Sequence, residues 1–190
     1  MYKLRFATPA EWTEFVLDHF DSFIIDHAAC EKKASGMAMT FVAHYPDRKE
    51  LVDAMVELAV EELVHFKEVY KLMVERNLRF TKDEKDPYIN QFFKAMRKGS
   101  NVYFMDRLLI ASIVEARGHE RFGLVAEALE EGSTKKFYKA ITQSEGRHLD
   151  LFINLANLYH DPEEVSQRLD ELLDFEAEIV KNLEIRAALH

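Results

Sequence analysis

Apolar residues recur along this chain at spacings of three and four, the repeat of helices that bury one face. No stretch of useful length alternates apolar and polar residues as a half-buried strand does. Thr8-Pro9-Ala10-Glu11 reads as a helix start, with Thr8 as N-cap and Glu11 closing a capping box, and predicts a short helix to about Phe20. A first long helix is expected over 22–45, ended by Pro46, with Ile24, His27, Ala28, Glu31, Ala34, Ser35, Ala38 and Val42 inward. Asp47 to Glu50 predicts a second capping box and a helix to about Asn77, burying Leu51, Met55, Leu58, Glu62, His65, Phe66, Val69 and Leu72. The polar stretch 78–87 and a short amphipathic piece over 88–98, closed by Gly99, form the longest connection. A third long helix is expected over 101–130, a tight reversal at Gly132-Ser133, and a fourth over 133–159. Asp161-Pro162-Glu163-Glu164 then starts a last helix reaching near Arg186. These elements predict an all-α, four-helix bundle with one long crossover, flanked by a short N-terminal and a C-terminal helix, in a single domain over 1–190.

Composition sharpens that picture. A chain of 190 residues suits one well-buried domain, and only 6 Gly and 4 Pro leave little material for turns. The single Cys30 rules out an intramolecular disulfide and fits a reducing compartment. No apolar run is long enough to span a bilayer, and Met-Tyr-Lys-Leu-Arg-Phe lacks the apolar core of a signal peptide. A cytoplasmic protein with no membrane partner is expected. The net charge of −9 weighs against general polyanion binding, but it is uneven. Residues 66–107 hold ten basic and six acidic residues, whereas 160–190 hold three basic and nine acidic. The acidic end reads as a solvated tail helix. The basic stretch, holding Lys71, Arg76, Arg79, Lys82, Lys85, Lys94, Arg97 and Lys98, is the candidate for contact with phosphates, with Tyr88 or Phe92 as base-stacking rings.

The candidate chemistry lies on the inward stripes. Glu62-Leu63-Val64-His65 and Glu145-Gly146-Arg147-His148 each place a carboxylate and an imidazole three residues apart, on one helix face. Glu31 precedes Glu62 by 31 residues, and Glu115 precedes Glu145 by 30. One Glu-x-x-His pair arises readily by chance, so placement carries the weight. All four glutamates sit on otherwise apolar stripes of four different long helices, where an ionised carboxylate is rarely left alone. Glu, then Glu-x-x-His, stated twice, is the ligand pattern of a dinuclear site in a helical bundle. Glu31, Glu62, His65, Glu115, Glu145 and His148 are therefore the predicted metal ligands and catalytic residues. Four carboxylates balance two divalent ions, and an oxygen-rich set with one imidazole per metal suits iron, with manganese as the alternative. A structural zinc site would favour Cys and His. His119 and His27 read as partners of the ligands or satisfied core residues. His19, His44, His160 and His190 read as surface or end positions, and Cys30 as a small packed side chain.

The words around these ligands carry a resemblance. Asp26-His27-Ala28-Ala29-Cys30-Glu31-Lys32-Lys33-Ala34, Glu61-Glu62-Leu63-Val64-His65-Phe66, Ile113-Val114-Glu115-Ala116-Arg117, Glu120-Arg121-Phe122 and Ser144-Glu145-Gly146-Arg147-His148 resemble the tRNA isopentenyladenosine hydroxylases. The likeness runs from about Thr8 to Tyr159, and the Cys-Glu-Lys-Lys phrase is its most specific part. It implies a ferritin-like di-iron monooxygenase with dioxygen as co-substrate and an unidentified electron donor. The implied substrate is the isopentenyl group of 2-methylthio-isopentenyl adenosine in the anticodon arm of tRNA. In that setting Ala34, Ser35, Ala38, Ala111 and Ser112 are candidates to shape a prenyl pocket, and Thr142 to hydrogen-bond near the metals. The same ligand pattern also serves a bacterioferritin-like ferroxidase or iron-binding protein and di-iron oxidases of small molecules. A rubrerythrin-like peroxidase, whose additional iron site is built from four cysteines, does not fit a chain with one.

Overall fold

A computed structural model describes residues 2–190. Among the described residues there are seven helices and no strand, as the three-and-four periodicity predicts. They are α1 (Ala10–Asp18), α2 (Phe20–His44), α3 (Lys49–Glu75), α4 (Pro87–Ala95), α5 (Ser100–Ala128), α6 (Ser133–Tyr159) and α7 (Pro162–Asn182). None of them is long and apolar enough to cross a membrane. The chain groups into two compact units: residues 14–84 with 186–189, and the N-terminal residues to 13 with 85–185 and His190.

The first unit is built on the α2/α3 hairpin. Phe23, Ile24, Ala28, Ala38 and Phe41 are the buried apolar residues of α2, and Leu51, Met55, Leu58, Val69 and Met73 stand among those of α3. The two helices are tied midway by Ser35, whose hydroxyl donates to the Ala59 carbonyl at 2.8 Å. The short turn after Pro46 makes the reversal, but not through the expected capping box. Helix α3 begins at Lys49 behind Arg48, with no side-chain cap. Its far end is closed by Asn77, in the left-handed region at φ 57°, with the Leu78 N–H donating to the Met73 carbonyl at 2.8 Å. Asparagine tolerates that conformation better than most side chains, which stops the helix there.

The second unit contains α4 to α7. Asp86 and Asp161 each accept two backbone N–H groups at the start of α4 and α7, with Pro in the first turn. Gly99, at φ 115°, starts α5 rather than closing α4, which ends earlier at Ala95. Helix α5 is buried around most of its circumference and packs chiefly on α6. Thr8 does not cap α1 as expected, because its hydroxyl is engaged elsewhere. It donates to Glu120 Oε2 at 2.6 Å and accepts from Arg117 Nη1 at 3.0 Å.

Two buried charge clusters lock this unit. Arg117 and Glu176 are both fully buried and bond bidentately, at 2.8 Å (Nε–Oε1) and 3.0 Å (Nη2–Oε2). The Tyr88 hydroxyl donates to the same Glu176 at 2.9 Å. Helix α7 is thus held by its buried carboxylate, which corrects the reading of a merely solvated acidic tail. Tyr88 and Phe92 are also buried, Tyr88 beneath the ring of His190 at 5.0 Å, so neither ring is available to stack on a base. His190 is accordingly a packed residue and not a loose end. In the other cluster Asp106, fully buried, takes hydrogen bonds from Arg97 and from Arg168 on α7. Arg97 is therefore occupied in holding the chain before α5, which removes it from the expected phosphate-binding set.

Burial alone would push the Asp106 carboxyl up, but the Arg168 and Arg97 bonds outweigh it and hold it below the usual carboxylate range. A depressed folded value adds stability that is complete above the unfolded value of about 4 and fades as pH falls through the folded one. Asp106→Asn should therefore lower unfolding free energy by about 3 kcal/mol at pH 7, since it leaves two guanidinium groups poorly paired. Chemical denaturation of both proteins checks this, and the gap should narrow as the pH is taken below about 4.

Candidate metal centre

Each unit carries one of the two Glu, Glu-x-x-His triads. In the first, Glu31 sits midway along α2 while Glu62 and His65 lie one turn apart on α3. Hairpin pairing brings their ligand atoms within 4.8 Å of one another. His65 Nδ1 stands 3.6 Å from Glu31 Oε2 and 3.5 Å from Glu62 Oε2. Both carboxylates are buried, and His65 is 12% exposed along its side chain. In the second unit Glu115 on α5 faces Glu145 and His148 on α6, with ligand atoms again within 4.8 Å. His148 Nδ1 is 3.9 Å from Glu115 Oε2 and 3.6 Å from Glu145 Oε2. All three residues are buried.

The electrostatics suit a cation. Burial would lower the His65 imidazole, yet the facing Glu31 and Glu62 carboxylates lift it to about 10. Two buried carboxylates thus stabilise positive charge at this place, carried by a proton on His65 or by a metal ion that displaces it. In each triad two carboxylates and one neutral imidazole offset a divalent ion. This hard, oxygen-rich set fits iron better than the Cys and His donors of structural zinc.

The surrounding histidines each take one of the two roles their sequence readings left open. His27 is fully buried on α2, with Nε2 at 2.5 Å from Glu31 Oε1. Burial and the nearby His65 push its imidazole down to about 3, so it stays neutral. The i, i+4 spacing to Glu31 was the sequence signal for this bond. His119 is a helix tie: Nδ1 meets the Thr142 carbonyl at 2.7 Å. Its ring lies against Gly146, where a Cβ would come within 3.2 Å of the ring, so the glycine of Glu-Gly-Arg-His makes room for that tie. The hydroxyls of Ser35, Ser112 and Thr142 donate to the carbonyls of Ala59, Leu149 and Tyr138. Thr142 spends its proton one turn back on its own helix rather than toward the metal ligands.

Sequence reasoning also missed what the lysines of Cys-Glu-Lys-Lys do. Lys32 Nζ bonds Asp83 at 2.6 Å and lies 4.9 Å from the Phe80 ring centroid, while Lys33 donates to the Glu84 carbonyl at 3.2 Å. Phe80 packs edge-on against Phe66, the residue after His65, at 5.7 Å. The phrase that carries Glu31 therefore also straps the 80–84 segment across the α2/α3 hairpin. No local pattern announces contacts that close a fifty-residue gap.

Three comparisons bear on this arrangement. The profile of the family described as tRNA-(MS[2]IO[6]A)-hydroxylase (MiaE) matches residues 2–190, so the likeness includes the last helix, beyond the span readable from the motifs. A Pseudomonas putida protein named tRNA 2-(methylsulfanyl)-N(6)-isopentenyladenosine(37) hydroxylase is 30% identical over 183 residues, 96% of this chain and 89% of its own. A Salmonella typhimurium protein of the same name is 32% identical over 155 residues, 82% of this chain but only 56% of that relative's length. Among solved structures, Protein 43 with aldehyde deformylating oxygenase activity, from Synechococcus, superposes with a TM-score of 0.94. It is 30% identical, and the match covers 100% of this chain and 96% of that one. The expected all-α, ferritin-like fold is borne out. With a family profile matched over the described chain and a relative aligned over nearly all of it, the chain belongs to the tRNA-(MS[2]IO[6]A)-hydroxylase family.

Proposed function

We propose that this chain is a dioxygen-dependent di-iron hydroxylase that acts on the isopentenyl group of 2-methylthio-isopentenyl adenosine in the anticodon arm of tRNA. The observation that carries the reading is the pair of matching Glu, Glu-x-x-His triads, buried on apolar helix faces in a member of this family. Glu31, Glu62 and His65 in one unit, and Glu115, Glu145 and His148 in the other, are the ligands we assign to two irons. Iron bound there supplies the activation of dioxygen that hydroxylation of an unreactive C–H bond requires. The balance is one C–H bond and one dioxygen consumed, with two electrons and two protons, giving one alcohol and one water. The electrons come from a separate donor, and a tRNA substrate implies a cytoplasmic reaction. The chain's part is to fix the ligands on stiff helices, neutralise the cations and keep bulk water from the ligand faces.

A net charge of −9 means that tRNA phosphates must meet a local basic surface. Arg97 is committed to Asp106, so we assign that role to exposed cations around the end of α3 and the following segment: Lys67, Arg79 and Lys82. A second reading, oxygen-dependent turnover of an aldehyde, draws on the activity in the name of the Synechococcus protein.

Nucleoside analysis of tRNA from cells with and without this protein decides between them. Loss of the hydroxylated nucleoside, with its unhydroxylated precursor accumulating, is the expected result. Unchanged nucleosides together with aldehyde turnover by the iron-loaded protein would favour the second reading. Purified protein reconstituted anaerobically with Fe(II) should hold about two irons per chain, by the dinuclear pattern. His65→Ala or His148→Ala should lose metal and activity while circular dichroism keeps most of the helix signal. Reversing Lys67 and Lys82 to Glu should weaken tRNA binding and lower the slope of log affinity against log salt by about one to two, with iron content unchanged.

A further inference from the structure

Just past His65, helix α3 carries two aromatic rings, and a third packs on them from the segment that follows the helix. Phe66 and Tyr70 lie one turn apart, with ring centroids 6.0 Å apart and planes 22° from parallel. Phe80 meets Phe66 edge-on at 5.7 Å, and Lys32 sits 4.9 Å from the Phe80 ring centroid. The cluster is held from behind, while Tyr70 at its outer end is 45% exposed. A single exposed apolar side chain is ordinary on a protein surface, but a ring held on one side and open on the other is a ready contact. Its surroundings are basic. Residues 67–82 hold five basic and two acidic side chains, in a chain of net charge −9. Lys71 is matched by Glu68 and Arg76 by Asp21, which leaves Lys67, Arg79 and Lys82, the exposed cations assigned above to phosphates.

We propose that Tyr70, backed by Phe66 and Phe80, is a stacking platform for an unpaired base of the tRNA anticodon loop; the inference rests on the tRNA reading above. Every base has a π-face, and a ring already fixed by its neighbours takes one up with little loss of side-chain freedom. Cations around such a ring hold the phosphates on either side of the stacked base. Tyr88 and Phe92, the rings that the sequence suggested, are buried, so the stacking role passes to a ring that solvent reaches. Tyr70 lies five residues beyond His65, about 7.5 Å along the helix axis, near enough for neighbouring nucleotides of one loop to meet the platform and the metal ligands. Stacking and phosphate contact also leave different signatures. Neutralised phosphates set the salt dependence of binding, whereas a stacked neutral ring adds affinity without changing it.

The test measures binding of the full-length, iron-loaded protein to tRNA purified from cells that lack it, at several salt concentrations. Tyr70→Ala should bind about 5- to 100-fold more weakly, with the slope of log affinity against log salt and the iron content both unchanged. Tyr70→Leu keeps an apolar side chain without a ring and should be weakened in the same way, whereas Tyr70→Trp should bind as well as wild type or better. If the Ala variant does not fold, the comparison of Leu with Trp carries the same test. Wild-type affinity in the ringless variants, or recovery by Leu as full as by Trp, would overturn the platform while leaving the tRNA reading intact. So would a change in oligomeric state, measured by light scattering, with tRNA affinity unaltered, since the ring would then serve a protein contact. A wild-type protein that neither binds nor hydroxylates this tRNA would overturn both.

Discussion

Four carboxylates set among apolar side chains are the constraint around which this protein is built. Glu31, Glu62, Glu115 and Glu145 are each no more than 7% exposed. An ionised carboxylate withdrawn from water costs several kcal/mol unless charge and hydrogen bonds offset the loss. The chain must therefore hold these groups against their own preference for solvent. Helices of 25 to 29 residues supply the stiffness, because the backbone polar groups of their interiors bond to one another along the helix.

The buried charges fall into two kinds, and the difference separates structure from function. Glu176 meets Arg117 in a bidentate pair, and Asp106 meets both Arg97 and Arg168. In those clusters guanidinium groups match or exceed carboxylates. In each triad two carboxylates face one imidazole, so negative charge is in surplus. Structural ion pairs tend to be complete, whereas a surplus of one sign in a buried place calls for a ligand of the other.

Around Glu31 one short phrase serves several ends. His27 holds one carboxylate oxygen, Lys32 and Lys33 strap the 80–84 segment, and Cys30 contacts Asp26, which in turn accepts the Leu189 N–H at 2.7 Å. Helical geometry explains how neighbouring residues manage this, since successive side chains leave the axis about 100° apart. The specificity of the phrase comes from many contacts converging on a few residues.

The sequence by itself determined the helical class, the long-helix layout and the ligand pairs. Periods of three and four report burial, and Glu-x-x-His fixes two donors on one face whatever the helix packs against. Capping was legible where it stayed local, as at Asp161, and failed at Thr8 and Asp47. Thr8 found stronger partners in Glu120 and Arg117, and α3 began past its expected cap. Only the tertiary structure decided which cations are engaged. Arg97 looked like a phosphate ligand until Asp106 was found beneath it, and Tyr88 and Phe92 looked available until α7 and the chain end were in place. It also decided that Glu176 anchors an otherwise acidic helix and that the His27 ring turns toward Glu31 to hold one of its oxygens. A residue's periodicity says that it is buried; its partner is chosen by whichever distant segment folds against it, and no local pattern carries that information.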